Sequence, residues 1–200
     1  MAGKIIEYKV YKVFKVKSNT MKIDIPYYSQ YSEKIEKDWQ SKSCSITCLQ
    51  MVLDFYGKKV EAMNLIEEGL KISEVLKEKG KEKDGYTREF GWGHELLVSL
   101  LKNNGVLAYR QDFKNFNFEK EYFELGLEKI KQNILDKKPV IVSVLRDIKK
   151  YGHMFIISGI EIDEENMKSF YINDPENIDN KNISIEDFKK VWRRLAIFVN

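Results

Sequence analysis

Three residue types that can do acyl chemistry together stand far apart in this chain. They are Cys44 in SKSCSITCLQMVLDFYG, His153 in GHMFIISGI and Asp174 in FYINDPE. Cys44 lies where a polar turn runs into a strongly apolar stretch with helical spacing. A thiol at a helix N-terminus meets the positive end of the macrodipole, which favours the nucleophilic thiolate. An imidazole beside it takes the thiol proton and returns it to a leaving group. A carboxylate behind the imidazole orients the ring and favours its charged form. Cys44, His153 and Asp174 therefore read as nucleophile, base and orienting partner.

The other reactive side chains read more simply. Cys48 lies one helical turn after Cys44 and is expected to be a buried small hydrophobe. Cys44, Cys48, His94 and His153 supply enough ligands for zinc, but their spacing fits no standard zinc module. No metal or cofactor is expected. His94 in GWGHEL reads as the start of a helix, with lining of the cleft as the alternative. Trp39 and Trp92 flank loops and read either as walls of a cleft or as packing.

Composition limits the remaining classes. Hydrophobic residues make up 43% and charged residues 32% of 200 residues, as in a folded soluble domain rather than a disordered chain. A net charge of +3 is too small to indicate nucleic acid. No apolar run reaches the length of a membrane span, and the N-terminus lacks signal-peptide organisation. Two cysteines on one helix are not a secreted disulfide framework. These readings give a cytoplasmic location as the expectation. Residues 1–22 carry six lysines against one glutamate and read as a basic, β-rich extension. The lysines alternate with Val, Phe and Tyr, as on a guarded sheet edge. Residues 23–200 read as the domain proper.

The elements that must position the reactive groups follow from periodicity. Lys4–Lys17 is β-rich, Ser18–Thr20 a turn, Ile23–Tyr28 an extended segment and residues 29–43 a loop. A central buried helix runs from Ser43 or Cys44 to Gly57. Further helices are expected over Ala62–Gly69, Ser73–Lys79, His94–Asn103 and Leu125–Leu135, with a long loop over Gly80–Gly93. Val106–Phe113 reads as a strand. The period then changes to strands at Pro139–Leu145, His153–Ile160 and Ser169–Ile172. Ser184 and Asp187 form a capping-box pattern before a helix over Ile185–Arg194, and Ala196–Val199 closes as a strand. Helices first and an antiparallel sheet second define an α+β class, with Cys44 on the helical half and His153 and Asp174 on the sheet half.

The run CSITCLQMVLDFYG resembles the nucleophile helix of cysteine peptidase family 39, the papain-like domains known from bacteriocin-processing transporters. IPYYSQ resembles that family's entry segment, KKPVIVSV the strand before the His strand, GHMFIISGI the His strand, FYINDP the Asp-Pro turn, and FKKVWR the last helix. The resemblance covers about residues 23–199, weakly between 60 and 135. It implies a papain-like two-lobed fold, with a helical N-terminal half packed on an antiparallel C-terminal sheet. It also implies a stand-alone cysteine peptidase acting on a peptide or protein substrate, with Cys44, His153 and Asp174 catalytic. Gln30 would then be the oxyanion donor, with Gln40 its rival because the loop before Cys44 is long. The family has Gly after the nucleophile where this chain has Ser45. Two other functions fit the same residues: a peptide-binding domain that does not cleave, and a transglutaminase-like acyl transferase.

Overall fold

The computed structural model describes residues 19–115, 117–146, 151–164, 166–179 and 181–200. The strand expected over Lys4–Lys17 lies outside them. Helix α1 spans Lys37–Gln40, inside the segment expected to be a loop. Helix α2 spans Cys44–Phe55, and nine consecutive residues, Ser45–Leu53, are buried. A helix apolar around most of its circumference is enclosed by its neighbours rather than laid on a surface. It ends in a Schellman turn. Gly57 adopts φ +73°, its N–H donates to the Asp54 carbonyl, and the Lys58 N–H donates to the Leu53 carbonyl.

Helix α3 runs unbroken over Ala62–Glu78, where the sequence suggests two helices. Gly69 and Ser73, which look like a stop and a start, do other work. A Cβ on Gly69 would stand 2.5 Å from the Trp92 ring, so glycine there admits the indole. The Ser73 hydroxyl donates back to the Gly69 carbonyl at 2.9 Å and accepts the Tyr86 N–H at 2.8 Å. The expected loop Gly80–Gly93 is ordered by those contacts. It holds a 3-10 turn at Glu82–Asp84 and a hairpin of β2 (Tyr86–Thr87) and β3 (Gly91–Trp92). Tyr86, Trp92 and Trp39 form an aromatic cluster, with Tyr86 and Trp92 centroids 4.6 Å apart. Helix α4 follows at His94–Asn103, and α2, α3 and α4 pack on one another.

The second layer is an antiparallel sheet. Its strands are β1 (Asn19–Lys22), β4 (Ala108–Asp112), β5 (Val140–Arg146), β6 (Tyr151–Asp163), β7 (Asn166–Asn173), β8 (Asn182–Ser184) and β9 (Trp192–Val199). The order is β4-β9-β5-β6-β7-β8, with β1 paired to the far half of β6. Asn19 and Thr20, expected in a turn, pair with Ile162 and Glu161 instead. Helix α5 spans Glu119–Leu135, starting six residues earlier than its apolar spacing indicates. Helix α6 spans Ile185–Val191, and the Ser184 hydroxyl accepts the Asp187 N–H as its cap. It ends before Trp192 because that residue joins β9 opposite Val144 and stacks on Phe188. The architecture is α+β: α2 packs on β6, α4 on β4, and α5 and α6 also pack on the sheet, whose strands β1 and β4 come from before and among the first helices rather than from the later run of strands.

Helices α2 and α4 pack on β6 and β4 and join the layers. The segment after β1 is strapped to the sheet: Ile23 N–H donates to the Ser158 carbonyl at 2.7 Å, and Asn173 Nδ2 donates to the Ile25 carbonyl at 3.2 Å. Leu49 is fully buried on α2. Leu49→Ala is expected to lower stability by about 2–5 kcal/mol in urea unfolding, as a core truncation with limited collapse.

Candidate active site

Cys44 is the first residue of α2 and is partly exposed. The chain entering it is tightly held. The Trp92 indole donates to the Lys42 carbonyl at 3.0 Å, and the Ser43 hydroxyl donates to the Gln40 carbonyl at 3.1 Å. His153 lies on β6 opposite Val144 of β5. Asp174 lies one residue past β7, whose last residue, Asn173, pairs with Ile156. That register brings Asp174 Oδ1 to 2.8 Å from His153 Nε2, with both side chains 8% exposed. Oδ1 also accepts the Glu176 N–H at 3.0 Å. Cys44 and His153 line the same cavity, and the thiol acts on the ring to favour its charged form. With Nε2 committed to Asp174, Nδ1 is the nitrogen left for the sulfur. The structure thus joins His153 to Asp174 directly and places Cys44 on the wall of the cavity that His153 also lines.

Burial disfavours the charged form of His153. The hydrogen bond to Asp174 and the interactions with Cys44 and the Asp174 charge outweigh it and raise the ring from 6.5 to about 9. Cys48 differs sharply. It is completely buried, its thiol donates to the Met154 carbonyl at 3.5 Å, and burial first, then the charges of Cys44 and Asp174, push it well above the usual thiol range. It packs as a small hydrophobe, as its sequence position suggests.

The two glutamines separate clearly. Gln30 is buried and lines the same cavity as Cys44. Its N–H donates to the Pro175 carbonyl at 2.8 Å, and its Nε2 donates to the Gln40 carbonyl at 3.0 Å. The Tyr27 hydroxyl adds a bond to the Asp174 carbonyl at 3.1 Å. The entry segment is therefore tied to both the Asp174 turn and the approach to Cys44. Gln40 instead donates to the Ser32 and Ile35 carbonyls, each at 3.2 Å, and braces its own loop.

The cavity measures about 560 Å³. Beyond Cys44, Ser45, His153 and Gln30 it is bordered by Tyr31, the hairpin residues Tyr86 and Arg88–Trp92, His94, Ser143, Glu176 and Arg193. Trp92 is a cavity wall, and Trp39 packs behind it. His94 both opens α4 and faces this cavity; burial, then Arg193 and Arg110, lower its ring to about 4. Tyr31 and Glu176, joined by a 3.0 Å hydrogen bond, and Arg193 have no recognisable sequence signal. Among the described residues, no three His, Cys, Asp or Glu side chains cluster as a metal site, and no helix is long and apolar enough to cross a membrane.

A buried helix carrying a thiol over an antiparallel sheet carrying a His–Asp pair is the framework of a cysteine peptidase-type protein. The chain belongs to the Peptidase_C39 like family, whose pattern matches residues 22–196. No curated protein matches it in sequence. Among solved structures it is similar to a double glycine motif protease from an AMS/PCAT transporter in complex with the leader peptide. The identity is 18%, the TM-score 0.53, and the match covers 90% of this chain and 94% of that one. The peptidase domain of Streptococcus mutans ComA is 16% identical over 83% of this chain and 94% of that one, with a TM-score of 0.43.

Two outcomes follow from this geometry. Iodoacetamide at mildly acidic pH is expected to label Cys44 much faster than Cys48, as read by peptide mapping; equal labelling contradicts the assigned environments. Because His153 is raised above its unfolded value, its protonation stabilises the fold. The contribution is complete below about pH 6.5 and lost as pH rises through about 9. Urea unfolding at pH 6 and pH 10 is expected to show a loss on the order of 3 kcal/mol in the parent that is absent in His153→Ala.

Proposed function

We propose that this protein is a cysteine peptidase that hydrolyses peptide bonds through Cys44, His153 and Asp174. The observation that supports the reading is the His153 ring bonded to the buried Asp174 carboxylate at the wall of the cavity that Cys44 also lines. His153 takes the Cys44 proton, and the sulfur attacks the substrate carbonyl carbon. The oxygen that becomes negative is met by Gln30 Nε2 and by the N–H groups of the first turn of α2, which have no acceptor within the helix. The imidazolium then gives its proton to the departing amine, leaving a thioester on Cys44. Water, deprotonated by His153, attacks that thioester and releases the acid. Asp174 holds the ring oriented in both halves. The similar structure that holds a leader peptide supports an extended peptide as the ligand. Residues 1–22 are assigned as an extension to the peptidase domain that follows.

Cleavage of a peptide pool, read by mass spectrometry, tests this. Cys44→Ala is expected to abolish cleavage, and Gln30→Ala to lower kcat by about 10²–10³-fold with smaller effects on KM. Adding a primary amine separates transfer from hydrolysis, because an acyl transferase would form the new amide. Cleavage that survives in Cys44→Ala would overturn the reading, as would binding without cleavage by the parent.

A further inference from the structure

Strand β9 leaves its ladder at one point. Ser143 of β5 pairs with Leu195, but the next residue, Val144, pairs with Trp192. Arg193 and Arg194 are therefore extra residues in β9, with no counterparts in β5. Bulges beside functional sites commonly re-aim a side chain, and this one does. Arg194 adopts φ +59°, a conformation that strains a non-glycine residue, and its guanidinium pairs with Glu119. Arg193 reaches across β5 to β6. Its Nη1 stands 3.0 Å from where a Cβ on Gly152 would lie. Glycine at 152 leaves that space open, directly before His153.

The Arg193 guanidinium borders the Cys44 cavity with His94, Ser143 and Met154. Among the described residues it has no hydrogen-bond or ion-pair partner. The carboxylates of the cavity are placed otherwise: Glu176 accepts from the Tyr31 hydroxyl, and Glu89 is exposed on the turn of the β2–β3 hairpin. It also borders an adjoining cavity of about 330 Å³ with Lys114, Arg194 and Glu119, whose carboxylate is paired with Arg194. Arg193 and Arg110 help keep His94 neutral. An unpaired guanidinium offers a planar set of donors that matches a carboxylate.

We propose that Arg193 is a specificity-determining residue that holds the carboxylate of an Asp or Glu side chain close to the reacting carbonyl of a peptide substrate. The inference rests on the peptidase reading above, and it adds a charge preference that reading does not contain. The bulge sets it, because an unbulged β9 would remove both arginines from the strand.

The test uses peptidyl vinyl sulfones that carry Glu, Gln or Lys at either of the two positions before the electrophile. Labelling of Cys44 is followed by intact mass and peptide mapping on the full chain. The parent is expected to react with a Glu probe roughly fivefold faster than with its Gln isostere, the range of a partly exposed ion pair. The Lys probe is slowest, and added salt narrows the differences. Arg193→Glu is expected to reverse the order in favour of Lys, with the Gln probe reporting intrinsic thiol reactivity. Equal rates with Glu and Gln probes in the parent, or the parental order retained in Arg193→Glu, overturn this inference and leave the peptidase reading intact. Failure of every probe to label Cys44 overturns the peptidase reading, and this inference falls with it.

Discussion

Helix α2 lies on β6 with nine consecutive residues buried, and the Cys48 thiol donates to the Met154 carbonyl across that contact. Cys44 is one turn before Cys48, and His153 is the neighbour of Met154. One buried register therefore sets the distance between the sulfur and the imidazole. A shift of one turn would move Cys44 by about 5 Å and take it out of contact. The near-complete burial of α2 resists such a shift, because every side chain from Ser45 to Leu53 is packed.

The same register makes a buried charge tolerable. His153 and Asp174 are almost withdrawn from water, and a pair so placed is costly unless its remaining valences are met. Asp174 Oδ1 accepts from His153 and from the Glu176 N–H. The turn carrying Asp174 is held by Tyr27 and by the Gln30 backbone, so the entry segment steadies the carboxylate from outside the sheet. Gln30 thus stands where the strap, the Asp174 turn and the approach to α2 meet.

Much of this was legible in residue order. The apolar circumference of Cys44–Phe55 marked a central helix, the change to period two marked the sheet, and the Ser184–Asp187 pattern marked a helix start. Errors arose where tertiary contacts reassigned local signals. Gly69 and Ser73 look like a helix break, yet one makes room for an indole and the other bonds the hairpin. The polar, glycine-punctuated stretch from 80 to 93 looks like a loop, yet Tyr86 and Trp92 fold it into a wall of the cavity. Residue order favours Gln30 over its rival Gln40 only through the resemblance. The structure separates them by what each amide is bonded to.

The sequence by itself determined which groups are available and which elements carry them: a thiol at the start of an apolar helix, a histidine entering a strand, an aspartate in a turn. Periodicity and turn chemistry are local, so they can be read along the chain. Only the tertiary structure decided that the histidine and the aspartate bond beside the cavity the thiol lines, that His94 is held neutral in the same cavity, and that a two-residue bulge sends Arg193 over Gly152. Those outcomes depend on strand register and on packing between residues far apart in the chain, and no local pattern encodes either.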